Sequence, residues 1–371
     1  MKILIIPDSF KGSASNVVVA ESIEKGILQS LPSAQCVKIP FADGGEGSLE
    51  AIETALGGSR VTLQTLDPLG RSIEAFYLRK QEVSYLELAQ ASGLQLVSDD
   101  EKNAGKTTTR GSGILLKHAC QEAGEVIFCI GGSATNDAAC GIAAAMGYQF
   151  LDAQGKSFMP VGDTLSNIDK IISPDVLPKA RLKVLCDVNN PLTGAYGATY
   201  VYGKQKGANQ DDLRRLEAGM EHFRNKIIQW KNVDLNSIAG AGAAGGVGGG
   251  LVAFFDAALV SGTQYLMDQL EVEKQVQDCD LIFTGEGKID SQTGQGKLIS
   301  GLTALARKHA KPVIVLCGVR DISMEEMDGI GLTAAFTILA QIESEVDIFE
   351  KTPLLIQQTA AQIMRVVQAG L

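Results

Sequence analysis

Five short apolar runs, two near the start of the chain and three near its end, each pass into a segment with helical spacing, and this alternation constrains the fold most. The runs cover residues 2–6, 36–41, 281–284, 313–316 and 334–338. Helices are expected over 16–31, where Val19, Ile23 and Ile27 step by four, and over 48–56, ending at Gly57-Gly58. Two more are expected over 298–309 and 353–368. Strand followed by helix, repeated, calls for parallel strands joined by crossover helices. Two strands with their helices cannot cover both faces of a sheet, so all five runs are expected in one doubly wound sheet, despite about 240 residues between the second and third.

The intervening chain has a different texture. Residues 72–78 and 83–88 read as paired strands, and 211–230 as a long amphipathic helix through Leu213, Leu216, Met220, Phe223 and Ile227. The expected organisation is a discontinuous domain, 1–60 plus 266–371, with a mixed α/β domain, 61–265, inserted into it. Two sequential domains are the alternative, left open by periodicity alone.

Composition excludes several classes. The chain has 371 residues, 45% hydrophobic and 20% charged, and no apolar run long enough for a bilayer. Its net charge of -10, without a basic cluster, argues against nucleic-acid or anionic-membrane binding. The opening MKILIIPDSF is too short for a signal peptide and reads as a buried strand. Seven dispersed cysteines without a C-x-x-C pair suggest reduced thiols and a cytoplasmic protein. The three histidines fall in helical stretches, and Trp230 ends one; all four read as structural.

The polar residues that carry chemistry share one context, the carboxyl end of an apolar run, where open α/β sheets bind ligands. Asp8, Ser9 and Lys11 follow the first run, and Asp43 and Glu46 stand among glycines after the second. Gly285-Glu286-Gly287, with Asp290, follows DLIFT. In the middle, VIFCI leads into GGSATND (131–137) and KVLCD into VNNPLTG. The amides of GGSAT suit an anion. Acids among glycines repel a bare phosphate but suit Mg²⁺, which binds phosphates through one or two carboxylates. Singly, Asp8 or Asp43 reads equally well as a turn cap. GAGAAG (240–245) fits G-x-G-x-x-G, yet no strong strand precedes it and no acid follows at the right distance, so an NAD site is not expected. Gly296-Lys297 is followed by Leu298, so the Walker pattern fails as well.

PDSFKGSAS, PFADGGEGS, ASGL, GIL after TTTRGS, GGSATND, CDVNNPLTG, QKGA, GAGAAGG and TGEGKIDSQT resemble, in that order, the motifs of the bacterial glycerate kinases of the first type. The match runs from Lys2 to about Gly318. The resemblance implies ATP-dependent phosphorylation of D-glycerate, to 2-phosphoglycerate before 3-phosphoglycerate. It also implies two unlike α/β domains around a cleft, one flavodoxin-like with the other inserted. The chain departs from the pattern at Ala138-Ala139, where the family has Gly-Gly, at Lys204, where it has Pro, and at Arg110, where it has an aromatic.

Phosphoryl transfer needs alignment and charge neutralisation. On that reading Lys11 meets a substrate carboxylate or a phosphate, with Asp8 and Ser9 beside it. Asp43 and Glu286 hold Mg²⁺, and Asp187 or Asp290 accepts the hydroxyl proton. Gly131, Gly132, Ser133, Thr135 and Asn189 hold phosphates or substrate. Lys206 and Lys297 neutralise charge, or are solvated surface lysines. A phosphatase using the same acids and Mg²⁺, or a non-catalytic ligand-binding regulator, is the alternative. A homo-oligomer stays open.

Overall fold

A computed structural model describes the chain except Lys11, Asp43, Glu46, Ser291, Gln292, 294–297, 340–344 and Leu371, together with the side chains of 345–347. Among the described residues, fourteen strands occur in chain order: β1 (Lys2–Ile5), β2 (Gln35–Lys38), β3 (Ser59–Leu66), β4 (Ser72–Lys80), β5 (Val83–Glu87), β6 (Glu125–Cys129), β7 (Gln149–Leu151), β8 (Ser157–Phe158), β9 (Lys170–Ile172), β10 (Arg181–Leu185), β11 (Ala258–Val260), β12 (Leu281–Asp290), β13 (Val313–Asp321) and β14 (Ala334–Thr337). They belong to two compact units, one of Met1–Asp43, Glu50–Leu56 and Thr263–Leu371, the other of Gly44–Leu49 and Gly57–Gly262.

The first unit is flavodoxin-like. Its five strands are all parallel in the order β14-β13-β12-β1-β2, so strand order reverses between β1 and β12. Ile3, Ile5, Phe283 and Leu316 meet Ile23, Ile27, Ile356 and Met364 in its core. Each such side chain contributes roughly 1.5–3 kcal/mol on burial. Helices Asn16–Ser30 and Glu345–Ala369 lie so close that a Cβ on Gly26 would come within 2.2 Å of the Gln357 carbonyl oxygen.

Two expectations need correcting here. Strands β12 and β13 run past residues 284 and 316, staying paired from Ile282↔Val313 to Asp290↔Asp321. Each supplies the hydrogen-bond partners the other needs, and short apolar runs do not reveal that reach. Glu286 and Asp290 therefore lie within a strand rather than in a turn after it. The last helix begins at Glu345, not 353, and carries Pro353 inside it, where the missing N–H removes one helical bond.

The second unit is a mixed α/β domain whose chain is inserted between β2 and β12. Its sheet has the order β11-β10-β6-β5-β4-β3. Strands β3, β4 and β5 form an antiparallel meander, with Leu78 opposite Tyr85, and β5, β6, β10 and β11 are parallel. A small antiparallel sheet, β8-β7-β9, was not anticipated. Helix Gln210–Lys231 is capped by the Asn209 side chain and buries Leu213, Leu216, Met220, Phe223 and Ile227. Trp230 packs against Tyr148 and Phe254, with ring centroids 6.0 Å apart in each pair. The histidines bond within the protein: His118 to the Tyr77 hydroxyl, His222 to the Ile168 carbonyl and His309 to Glu273. None of the seven cysteines is in a disulfide. Among the described residues, no helix is long and apolar enough to cross a membrane.

Candidate active site

In the first unit the switch point gathers Asp8, Ser9 and Glu286. The Asp8 amide donates to the Gly285 carbonyl at 2.8 Å, which sets Asp8 beside the residue preceding Glu286. Asp8 Oδ1 accepts from the Ser9 amide at 2.6 Å. Glu286 Oε1 accepts from the Thr293 hydroxyl at 2.9 Å, and the same hydroxyl oxygen accepts from the Asp290 amide at 3.1 Å. Period two along β12 puts Glu286, Lys288 and Asp290 on one face. Lys288 Nζ lies 3.2 Å from Asp290 and 3.1 Å from Asp321, and its hydrogen bonds to Asp321 and Asp290 push its pKa up. Asp290 thus belongs to an exposed ion cluster. Among the described residues, no group of three or more His, Cys, Asp or Glu side chains could hold a metal. Asp8 and Glu286 are hard oxygen donors, and a pair of carboxylates fits Mg²⁺, which keeps waters and borrows phosphate oxygens. Lys11, Asp43 and Lys297 lie outside the described residues.

In the second unit the carboxyl ends of β5, β6 and β10 carry the other candidates. Glycine is needed where Gly44 and Gly45 meet the end of β6. The Gly131 amide donates to the Gly44 carbonyl at 3.0 Å, and a Cβ on Gly131 would sit 2.4 Å from the Gly45 Cα. Glu87, the last residue of β5, is 2% exposed; its two carboxylate oxygens accept from the Gly47 amide at 3.2 Å and the Leu49 amide at 3.0 Å. Glu87 was not among the expected site residues, although it has their signature, an acid ending an apolar strand.

The turn after β6 is built from inside. Gly132 is exposed at φ +73°, and its carbonyl accepts from the Leu94 amide. The Ala134 amide donates to the Ser92 carbonyl. Among the described residues, the amides of Gly132 and Ser133 donate to no protein acceptor. The Ser133 and Thr135 hydroxyls, expected to hold phosphate, face inward and bond each other at 3.0 Å. Ser133 Oγ also accepts from the Thr135 amide at 3.0 Å and donates to the Ala244 carbonyl at 3.1 Å.

Lys206 is not a surface lysine. It is 2% exposed, and Nζ donates to the Thr135 carbonyl at 2.6 Å and to Ser133 Oγ at 3.3 Å. Burial pushes its pKa down to about 7, opposed by the negative charge of Asp137. Asp137 is itself fully buried, and burial pushes its carboxyl pKa up. One of its oxygens accepts from the Thr109 amide at 2.8 Å and hydroxyl at 2.9 Å. Asp137 stands in the GGSATND motif but is not among the expected site residues, since sequence does not distinguish a buried acid from an exposed one.

GAGAAG is a brace. Ala244, Gly245 and Gly246 are all left-handed, and a Cβ on Gly245 would lie 1.9 Å from the Thr135 carbonyl oxygen. Gly245 accepts from the Ala138 amide, and a 3-10 turn, Leu235–Ser237, precedes the motif instead of a strand. Ala138 and Ala139 have φ of +49° and +60°. Lys204 is exposed on the short helix Lys204–Lys206, and Arg110 is exposed at the start of helix Arg110–Ala119. After β10, Asp187 Oδ1 accepts from the Ser261 hydroxyl at 2.6 Å, and Asn189 is exposed.

A family model described as the glycerate kinase family matches residues 3–368. The chain is 40% identical to a glycerate kinase of Halalkalibacterium halodurans, over 97% of each chain. It is 38% identical to a glycerate 2-kinase of Escherichia coli K12, covering 92% of this chain and 91% of that one. A crystal structure of glycerate kinase 2 from Salmonella typhimurium LT2 is similar with a TM-score of 0.84 and 38% identity, over 100% of this chain and 99% of that one.

Proposed function

The chain belongs to the glycerate kinase family, and on that premise we propose that it transfers the γ-phosphoryl group of ATP to the 2-hydroxyl of D-glycerate in the cytoplasm. The observation that carries this reading is the turn after β6. It offers the amides of an exposed Gly132 and of Ser133, while the Ser133 and Thr135 hydroxyls are committed inward. Amides held in this way stabilise phosphate oxygens without reorganising during reaction. The similarity to a protein named glycerate 2-kinase supports the 2-hydroxyl over the 3-hydroxyl.

The hydroxyl oxygen attacks the γ-phosphorus, the bond to the β–γ bridging oxygen breaks, and ADP leaves. Asp187, just after β10, takes the hydroxyl proton, with Asp290 the other candidate. Asp8 and Glu286, with Asp43, hold Mg²⁺, which supplies charge neutralisation on the phosphates when bound. Ser9, Lys11 and Asn189 position the substrate, and Lys297 offsets phosphate charge. Seven cysteines without a disulfide accord with a reducing compartment.

Phosphorus NMR of the product from Mg-ATP and D-glycerate tests the reading. A phosphate on C2 couples to one carbon-bound hydrogen and gives a doublet; one on C3 couples to two and gives a triplet. Steady ATP loss with no phosphoglycerate signal would end the kinase reading.

A further inference from the structure

Lys206 is buried, which is rare for a lysine. It closes the short helix Lys204–Lys206, in which Lys204 is exposed. The chain then reverses at Gly207, φ +89°, so close to the Lys102 carbonyl that a Cβ there would lie 2.3 Å from its oxygen. The Lys206 stem is thereby directed inward. Its nitrogen ends on the Thr135 carbonyl at 2.6 Å and on Ser133 Oγ at 3.3 Å, and both belong to the turn after β6. Ser133 Oγ in turn reaches the Ala244 carbonyl, so the Lys206 nitrogen links the turn to the left-handed brace at 244–246.

We propose that Lys206 is a positioning residue that cross-links the phosphate turn from its protein side and does not itself meet phosphate. The geometry requires this division of labour. A group 2% exposed, with its donors on an interior carbonyl and an inward-facing hydroxyl, shapes the amides of Gly132 and Ser133 from beneath. Two described acceptors match the two N–H bonds of a neutral amine, and burial, with Asp137 the charged group acting against it, brings that form within reach near neutrality. The inference rests on reading the turn as the phosphate site.

Hydrogen exchange of the full enzyme across residues 131–139, with and without Mg-ATP, tests it alongside steady-state kinetics. In the unsubstituted enzyme Mg-ATP should slow exchange there; if it does not, the phosphate reading itself fails, before any variant is made. Lys206→Met keeps the stem and removes the donors. It should speed exchange of the ligand-free turn and raise the KM for ATP by up to about a hundredfold, because small misplacements of binding groups are costly. The KM for glycerate should change little. A raised KM with unaltered ligand-free exchange would mean that Lys206 touches phosphate directly, overturning the proposal. Faster exchange with an unaltered KM would reduce Lys206 to a purely structural role, with the same consequence. Should Lys206→Met fail to fold, Ser133→Ala removes one acceptor and must show both effects at smaller size; showing neither also overturns the proposal.

Discussion

The amide of Asp8 donates to the carbonyl of Gly285 at 2.8 Å, setting the end of β1 beside the Glu286 segment of β12. Nearby, the Thr284 hydroxyl donates to the Ile6 carbonyl at 2.7 Å across 278 residues of sequence. Closing so long a loop costs entropy that grows only slowly with length, so an inserted unit is tolerated.

From that pairing comes the first prediction. If Asp8 and Glu286 share the metal, Glu286→Gln should raise the Mg²⁺ concentration needed for half-maximal turnover, and excess Mg²⁺ should restore part of the rate. Thr293→Val, which removes the hydroxyl that orients Glu286, should shift the same curve less. Turnover measured against Mg²⁺ concentration checks both; two unshifted curves would take Glu286 out of the metal site.

The two candidate bases differ in surroundings. Asp290 shares Lys288 with Asp321 in an exposed cluster, whereas Asp187 follows β10 and accepts from Ser261. Asp187→Asn should lower turnover by roughly two to four orders of magnitude while ATP still binds. Asp290→Asn should keep most of it. The reverse ranking in single-turnover assays would exchange their roles.

Lys206 also makes a pH prediction. Its folded pKa of about 7 lies below the ordinary 10.5. Between those values the unfolded chain binds the extra proton, so stability gains with rising pH, by up to about 1.4 kcal/mol per unit. Below pH 7 the penalty of a buried charge is fully present. Asp137, whose pKa burial raises, acts in the opposite sense, with stability falling as pH rises from its unfolded pKa through its higher folded one. Urea unfolding of the unsubstituted protein and of Lys206→Met, from pH 6.5 to 9, should give a stability difference moving in favour of the lysine as pH rises. A flat or falling difference would show that Lys206 is not the group involved.

Ala138 and Ala139 hold left-handed conformations that cost an L-residue roughly 1–2 kcal/mol each. Ala138→Gly relieves this strain but loses a fully buried methyl and frees the unfolded chain, so thermal unfolding should shift little. Ala138→Val adds β-branching to the same backbone and should destabilise strongly or prevent folding. Equal stability of the valine variant and the unsubstituted protein would contradict the assigned φ.

What the chain determined by itself was the set of elements and the loops worth inspecting. Apolar runs at 2–6 and 281–284 were legible as strands because burial on both faces leaves no polar alternation to obscure them. The helix at Gln210–Lys231 was legible because five buried residues keep helical spacing. Acids and glycines at strand ends marked Asp8, Asp43, Glu286 and GGSATND, and the same signature at Glu87 was there to be read. Only the tertiary structure decided how those groups are used. Strand β12 reaches Asp290 because β13 pairs with it, and Lys206 turns inward because Ser133 and Thr135, some 70 residues earlier, present acceptors inside the protein. Burial and pairing are properties of partners distant in sequence. No local pattern separates a lysine in water from one beneath a phosphate turn, nor an alanine in a helix from one forced left-handed against Gly245 and Gly246.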